Sequence, residues 1–206
     1  MLTLLVLLSV FEFSLQQCCF PSQWEGIESG TIATVSPGAK APVYTSFNYL
    51  LSVDYSKHLL SLSGSVITGP STTQMRVIRD YTAKLQYSID TATNVCTKSV
   101  LAEKEIPCLG SNGDNSTVMA QTHLGASGQQ LAITVYNGVL NGMPSTLSVS
   151  EGCIPVGVAY HGMSADGSRV VGSIGFHGIT GGISDASVFT VPANCISSPL
   201  VNSVVG

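Results

Sequence analysis

Six cysteines and four histidines are the side chains through which this chain of 206 residues would do redox, metal or nucleophilic chemistry. Their spacing argues against most of it. His58, His123, His161 and His177 lie far apart, and no C-x-x-C or Cys/His cluster offers the converging ligands that zinc takes. A serine nucleophile elbow needs G-x-S-x-G, which the nearest strings, residues 125–128 and 162–166, do not match. Asp90, Asp114, Asp166 and Asp185 are equally scattered and form no EF-hand pattern. No H-E-x-x-H, Walker loop or G-x-G-x-x-G occurs. His161 and His177 read as exposed turn residues. Gly172, Gly175 and Gly178 read as strand ends or points of close backbone approach. A hydrolase would need a nucleophile and a base that are missing, so the chain is expected not to be an enzyme.

The cysteines have a structural use instead. Residues 2–13 form an apolar run of about a dozen, too short to span a bilayer. Residues 1–17 read as a signal peptide and 18–206 as a single mature domain, although a basic n-region and a clean A-x-A site are missing. No later stretch is a transmembrane candidate. Behind such a signal, an even count of Cys18, Cys19, Cys96, Cys108, Cys153 and Cys195 reads as three disulfides, chosen among about 15 pairings. Cys18 and Cys19 are adjacent, so in extended chain their side chains point opposite ways and take different partners. A bond from Cys96 to Cys195 would close a loop of about 100 residues, which chain-entropy arithmetic values at roughly 4.7 kcal/mol.

The elements that carry these anchors have a period near two. Leu85, Tyr87 and Ile89 alternate with Gln86, Ser88 and Asp90, a polar turn follows, and the run restarts at Val95 with Cys96. That is a hairpin with a covalent anchor on its return strand. Tyr49, Leu51 and Val53 share one face of a strand, and Leu60 and Leu62 share one face of the next. Further runs cover 27–35, 75–81, 131–136, 154–160 and 169–176. Asn137-Gly138 reads as a type I′ turn, residues 20–26 as an irregular lead-in, and 110–130 as an exposed loop. That loop holds the sequon Asn115-Ser116-Thr117, an expected glycan site. No convincing helical pattern is present. The expected fold is all-β, a sandwich or barrel of about eight to twelve antiparallel strands.

Composition narrows the function. Hydrophobic residues make up 44% and charged residues 10%, which argues against disorder. With 8 Lys and Arg, a net charge of −4 and no basic cluster, a nucleic-acid partner is excluded. What remains is a broad apolar face. If the sheets do not close, that face walls a cavity for an apolar ligand, and if they do, it fills a core. The candidate wall residues are Tyr49, Leu51, Val53, Leu60, Leu62, Val77, Leu85, Tyr87, Ile89, Ile133, Val135, Ile174 and Phe176.

Four strings in order carry a resemblance: Cys18-x-x-Pro21-x-x-Trp24-Glu25-Gly26; Ile89-Asp90-x-Ala92-Thr93-x-x-Cys96; Gly152-Cys153-Ile154-Pro155-Val156; and Asp185-x-Ser187-Val188-Phe189-x-x-Pro192-x-x-Cys195. Together they resemble the ependymin family, in its divergent invertebrate form. The resemblance implies a secreted or lysosomal glycoprotein, often dimeric, with two stacked antiparallel sheets around a hydrophobic pocket. That fold is similar to the half-barrels of bacterial lipoprotein carriers, and lipid binding is the activity it implies. It also implies the pairs Cys18–Cys153, Cys96–Cys195 and Cys19–Cys108. Two cysteines of the vertebrate members are missing here, and Cys19 with Cys108 stands as a substitute bridge. Calcium binding and cell–matrix adhesion are further family properties, but no calcium ligand maps onto this chain residue by residue. Two expectations follow: a carrier of a lipid or other hydrophobic molecule, or an extracellular matrix protein acting through calcium and glycan.

Overall fold

The computed structural model describes residues 17–111, 114–164 and 166–201. The expected signal segment, apart from Gln17, lies outside the described residues. In chain order the strands are β1 (Cys18–Cys19), β2 (Gln23–Val35), β3 (Val43–Asp54), β4 (Leu59–Thr68), β5 (Ser71–Asp80), β6 (Leu85–Asp90) and β7 (Val95–Val100). They continue as β8 (Cys108–Leu109), β9 (Thr117–Leu124), β10 (Leu131–Leu140), β11 (Met143–Ser150), β12 (Pro155–Met163), β13 (Arg169–Gly181) and β14 (Leu200–Val201). Only short helical turns interrupt them, at Glu151–Cys153, Ala186–Phe189 and α1 (Ala193–Ile196). The fold is all-β with two sheets, as the period-two alternation requires. The small sheet is the antiparallel pair β1–β8, and the large one has the order β14-β7-β6-β5-β4-β3-β2-β13-β12-β11-β10-β9. Every pair is antiparallel except β14–β7. The large sheet is open, with β14 and β9 as its edges.

That sheet must curl. β7 and β10 stand nine places apart in its order, which at ~4.8 Å per strand is ~43 Å if flat. Yet Ser99 and Val100 of β7 and Val139 and Leu140 of β10 line one cleft. The face toward that space is the inner face. On it Val53 pairs with Trp24 and Leu60, Leu60 with Arg79, and Arg79 with Gln86. Two apolar clusters occupy it. Trp24, Leu51, Val53 and Leu62 are buried with Tyr49, Tyr55, Leu60, Val77, Phe176 and Ile179 around them. Tyr136 and Val149 are buried under the β1–β8 ribbon, which contributes Cys18 and Leu109, with Phe20 and Ile106 alongside. Phe20 stacks on Tyr55 at 6.2 Å and so joins the two clusters. The ribbon therefore plugs part of the curled sheet from inside.

The outer face of β4–β7 is covered by the C-terminal segment. Arg76 donates hydrogen bonds from one guanidinium nitrogen to the carbonyls of Ser187, Val188 and Thr190, at 3.1, 2.7 and 3.1 Å. Glu25 accepts from the Ser184 amide and hydroxyl at 3.1 and 2.6 Å. Ile78, Tyr87, Ile89 and Cys195 form the buried cluster beneath. Disulfides join Cys18 to Cys153, Cys19 to Cys108 and Cys96 to Cys195, the three pairs that the resemblance implies. Each closes a long loop, with sequence separations of 135, 89 and 99 residues.

Several local expectations need correction. The two-residue turn of β10–β11 is Asn141-Gly142, not Asn137-Gly138: Leu140 pairs with Met143, and both turn residues have positive φ, 51° and 80°. Positive φ at both central positions is what a type I′ turn demands. Asn137-Gly138 instead continues the strand, where a Cβ on Gly138 would stand 3.3 Å from that of Ser116. Residues 110–130 are not one loop, because β9 forms there as the exposed edge of the sheet. β2 already begins at Gln23, inside the expected lead-in. His161 and His177 are exposed but lie within β12 and β13. At Gly172 the close approach is real: a Cβ there would fall 2.3 Å from Cζ of Tyr160.

Candidate functional site

Of the thirteen candidate wall residues, Tyr49, Leu51, Val53, Leu60, Leu62, Val77 and Phe176 come together in the Trp24 cluster on the inner face. Ile174 shares that face through its pairing with Gly30 and Val158. Leu85, Tyr87 and Ile89 do not face this space. Ile78 pairs with Tyr87 while Val77 pairs with Ser88, so the β6 apolar residues point outward, under the C-terminal segment and the Cys96–Cys195 bond. Ile133 and Val135 fall on the outer side as well, since the inner position of β10 is Tyr136, opposite Leu147. Alternation marks two faces of a strand, but which one turns inward depends on pairing.

A cleft of about 860 Å³ opens among the described residues. None of the thirteen lines it. One wall is Arg79, Gln86 and Ser99 of the inner face, and another is the chain from Val100 to Cys108 between β7 and β8. The β10–β11 turn, Val139 to Gly142, and the segment with Ser111, Asp114 and Asn115 complete the rim. Asn115, the sequon asparagine, is thus an exposed residue at the mouth. A shallower depression of about 450 Å³ lies beside Gly30 and Phe47.

The cleft is polar where it meets the inner face. Arg79 pairs with Glu103 at 2.9 Å and donates through Nε to Gln86 Oε1 at 3.0 Å. Burial works against the Arg79 charge, but Glu103 and the Tyr81 phenol outweigh it and keep the guanidinium protonated. Next along the strap, Glu105 Oε2 lies 2.5 Å from His58 Nδ1, and this hydrogen bond pushes the His58 pKa up. The other oxygen, Glu105 Oε1, is buried without a partner. Deeper on the inner face, Glu28 stands between Tyr49 and Phe176 in the ladder. Burial raises its pKa from 4.5 to about 7, against the pull of Arg79. Burial likewise pushes the Tyr55 phenol up. Sequence reading missed Arg79, Glu103, Glu105 and Glu28. A charged residue in phase with apolar ones was the available signal for Arg79, which follows Val77 by two, whereas Glu28 gave none, because its apolar neighbour Ile27 lies on the opposite face of β2.

No set of three or more His, Cys, Asp or Glu side chains converges for a metal among the described residues. Among the same residues, no helix is long and apolar enough to cross a membrane.

An open, disulfide-stapled β-chamber with a polar-rimmed cleft is the class of protein that these features define. A family model described as Ependymin matches residues 69–195, more than half of the sequence, so the chain belongs to the ependymin family. The Cys18–Gly26 string lies N-terminal to the matched residues, while the other three strings fall within them. No curated protein matches the chain. Among solved structures, an uncharacterized conserved protein from Thermus thermophilus aligns with TM-score 0.52 and 10% identity, over 89% of this chain and 91% of that one. The fold is thus shared at very low identity. A DUF1329 family protein from Desulfovibrio piger aligns at TM-score 0.35 and 8% identity, covering 82% and 90% of the two chains. A putative outer membrane lipoprotein-sorting protein domain from Vibrio parahaemolyticus aligns at TM-score 0.30 and 8% identity, covering 80% and 88%.

Proposed function

We propose that residues 18–206 act as a secreted, non-enzymatic carrier that holds a hydrophobic ligand in the chamber of the curled sheet. The observation that carries this reading is the cleft of about 860 Å³ where β7 and β10 approach without hydrogen bonding. Its volume falls in the range that small-molecule sites occupy, roughly 300–1,000 Å³. Val139, Leu140, Ile106 and Pro107 give it an apolar side. Membership in the ependymin family and three disulfides support the reading, since such bonds persist in oxidising compartments. Secretion through the 1–17 signal and a glycan at Asn115 belong to the same proposal. The matrix-adhesion reading has no specific observation in its favour.

Titration with diphenylhexatriene, which fluoresces on entering an apolar site, tests the carrier. Saturable binding near one probe per chain is expected. Val139→Asp with Leu140→Asp should weaken it at least about tenfold, a loss of ~1.4 kcal/mol. Leu50→Asp, at a 66% exposed position on the outer face, should leave it unchanged. Absence of saturable binding, or equal loss in both variants, would overturn the proposal.

A further inference from the structure

The two edges of the large sheet are finished differently. β14, at one end, is two residues long and offers little backbone to a newcomer. β9, at the other, runs for eight residues, seven of them exposed. β10 takes one of its sides, and nothing among the described residues pairs with the other. Its sequence, TVMAQTHL, holds no Asp, Glu, Lys, Arg or Pro, the residues with which proteins blunt a free edge. Val118, Met119 and Leu124 are exposed apolar side chains on it. One bulge interrupts its ladder, leaving Met119 without a counterpart between Val118 and Ala120. A free strand of this length, without charge, is a template for another strand, and the one always at hand is β9 of a second copy. Antiparallel self-pairing about a twofold axis sets no like charges opposite one another here.

The bulky group that the sequence places beside this edge is a glycan. Asn115 of the sequon is exposed and stands two residues before β9, and the sequon's Thr117 is the first residue of the strand. The Asp114 carboxylate accepts from the Gly110 amide at 2.8 Å and from the Ser116 hydroxyl, which ties the chain on both sides of Asn115. We propose that an N-linked glycan at Asn115 guards the β9 edge, and that without it two copies of the chain join β9 to β9. The inference rests on the secretion and glycan of the proposed function, not on its ligand. A glycan is bulky and solubilising, so at the head of the strand it excludes an incoming strand by volume where no charge does so. In a twofold antiparallel joint the start of β9 in one copy lies beside its end in the other, so both glycans stand against the joint.

Sedimentation velocity over a wide range of concentration, on protein expressed in eukaryotic cells, tests this, with intact mass reading the glycan. Asn115→Gln should self-associate at a concentration at least about tenfold below the glycosylated wild type. Adding Thr122→Lys, a charge at an exposed position of β9, should reverse that gain. Trimming the glycan from the folded wild type with an endoglycosidase should act as Asn115→Gln does, which covers a variant that fails to fold. Equal association of glycosylated and glycan-free chains would overturn the inference, as would association that the lysine leaves untouched. An intact mass without glycan would overturn it together with the glycan of the proposed function. Diphenylhexatriene binding, read on the same samples, decides the carrier separately.

Discussion

Glu28 is a carboxyl that folding makes harder to ionise, and the cost has a sign that can be measured. Its pKa rises from 4.5 to about 7 because burial on the inner face strips its water, and Arg79 only partly compensates. Below 4.5 the group is neutral in folded and unfolded chain alike and costs nothing. Between 4.5 and about 7 the folded state holds a proton that the unfolded state has lost, so stability falls as pH rises. Above about 7 the full penalty applies. The shift corresponds to about 3 kcal/mol at 1.36 kcal/mol per unit. The carboxyl is only partly buried, so solvent screening brings the expectation to about 1–2 kcal/mol. Glu28→Gln keeps the shape and removes the charge. Urea unfolding of the two proteins should therefore give nearly equal free energies at about pH 4 and below, with the variant about 1–2 kcal/mol more stable at alkaline pH. Comparing variant with wild type at each pH cancels the titration of groups that Glu28 does not touch. A difference that does not change with pH, or a variant less stable at alkaline pH, would refute the assignment of Glu28 to the desolvated inner face.

Two further outcomes test the packing. Replacing Cys96 and Cys195 together by alanine opens a loop of 99 residues, and denaturant unfolding should show a loss of about 3–5 kcal/mol, with a loss under about 1 kcal/mol contradicting the staple's role. Gly172→Ala drives a methyl into the Tyr160 ring, so it should cost about 1–3 kcal/mol, and Tyr160→Leu should recover part of that loss in a double-mutant cycle.

Much of the fold could be read from the chain because strand periodicity is local. The runs at Tyr49–Leu51–Val53 and Leu60–Leu62 pair in register, Leu51 with Leu62 and Val53 with Leu60. The turn after Asp90 forms as read, with Asp90 Oδ1 accepting from the amides of Ala92 and Thr93. The candidate site was less legible, for a physical reason. Tyr87 and Ile89 are as apolar as Leu51, yet they serve a different surface, because a C-terminal segment about 100 residues away folds over it. No local pattern reports which face a distant segment will cover. The same holds at Asn137-Gly138, where the type I′ dipeptide is overruled by a second Asn-Gly four residues on and by the approach of Ser116. β9 was hidden because an edge strand buries little and so need not alternate: seven of its eight residues are exposed.

The central claim is that the curled sheet carries a ligand, and its most direct test is native mass spectrometry of the protein expressed in eukaryotic cells. Denaturing extraction of the same sample would then identify any released molecule. The account predicts a stoichiometric adduct of an apolar or amphiphilic molecule, absent after denaturation. A protein that emerges at its bare mass, allowing for disulfides and any glycan, and stays so after incubation with mixed lipids, would contradict it.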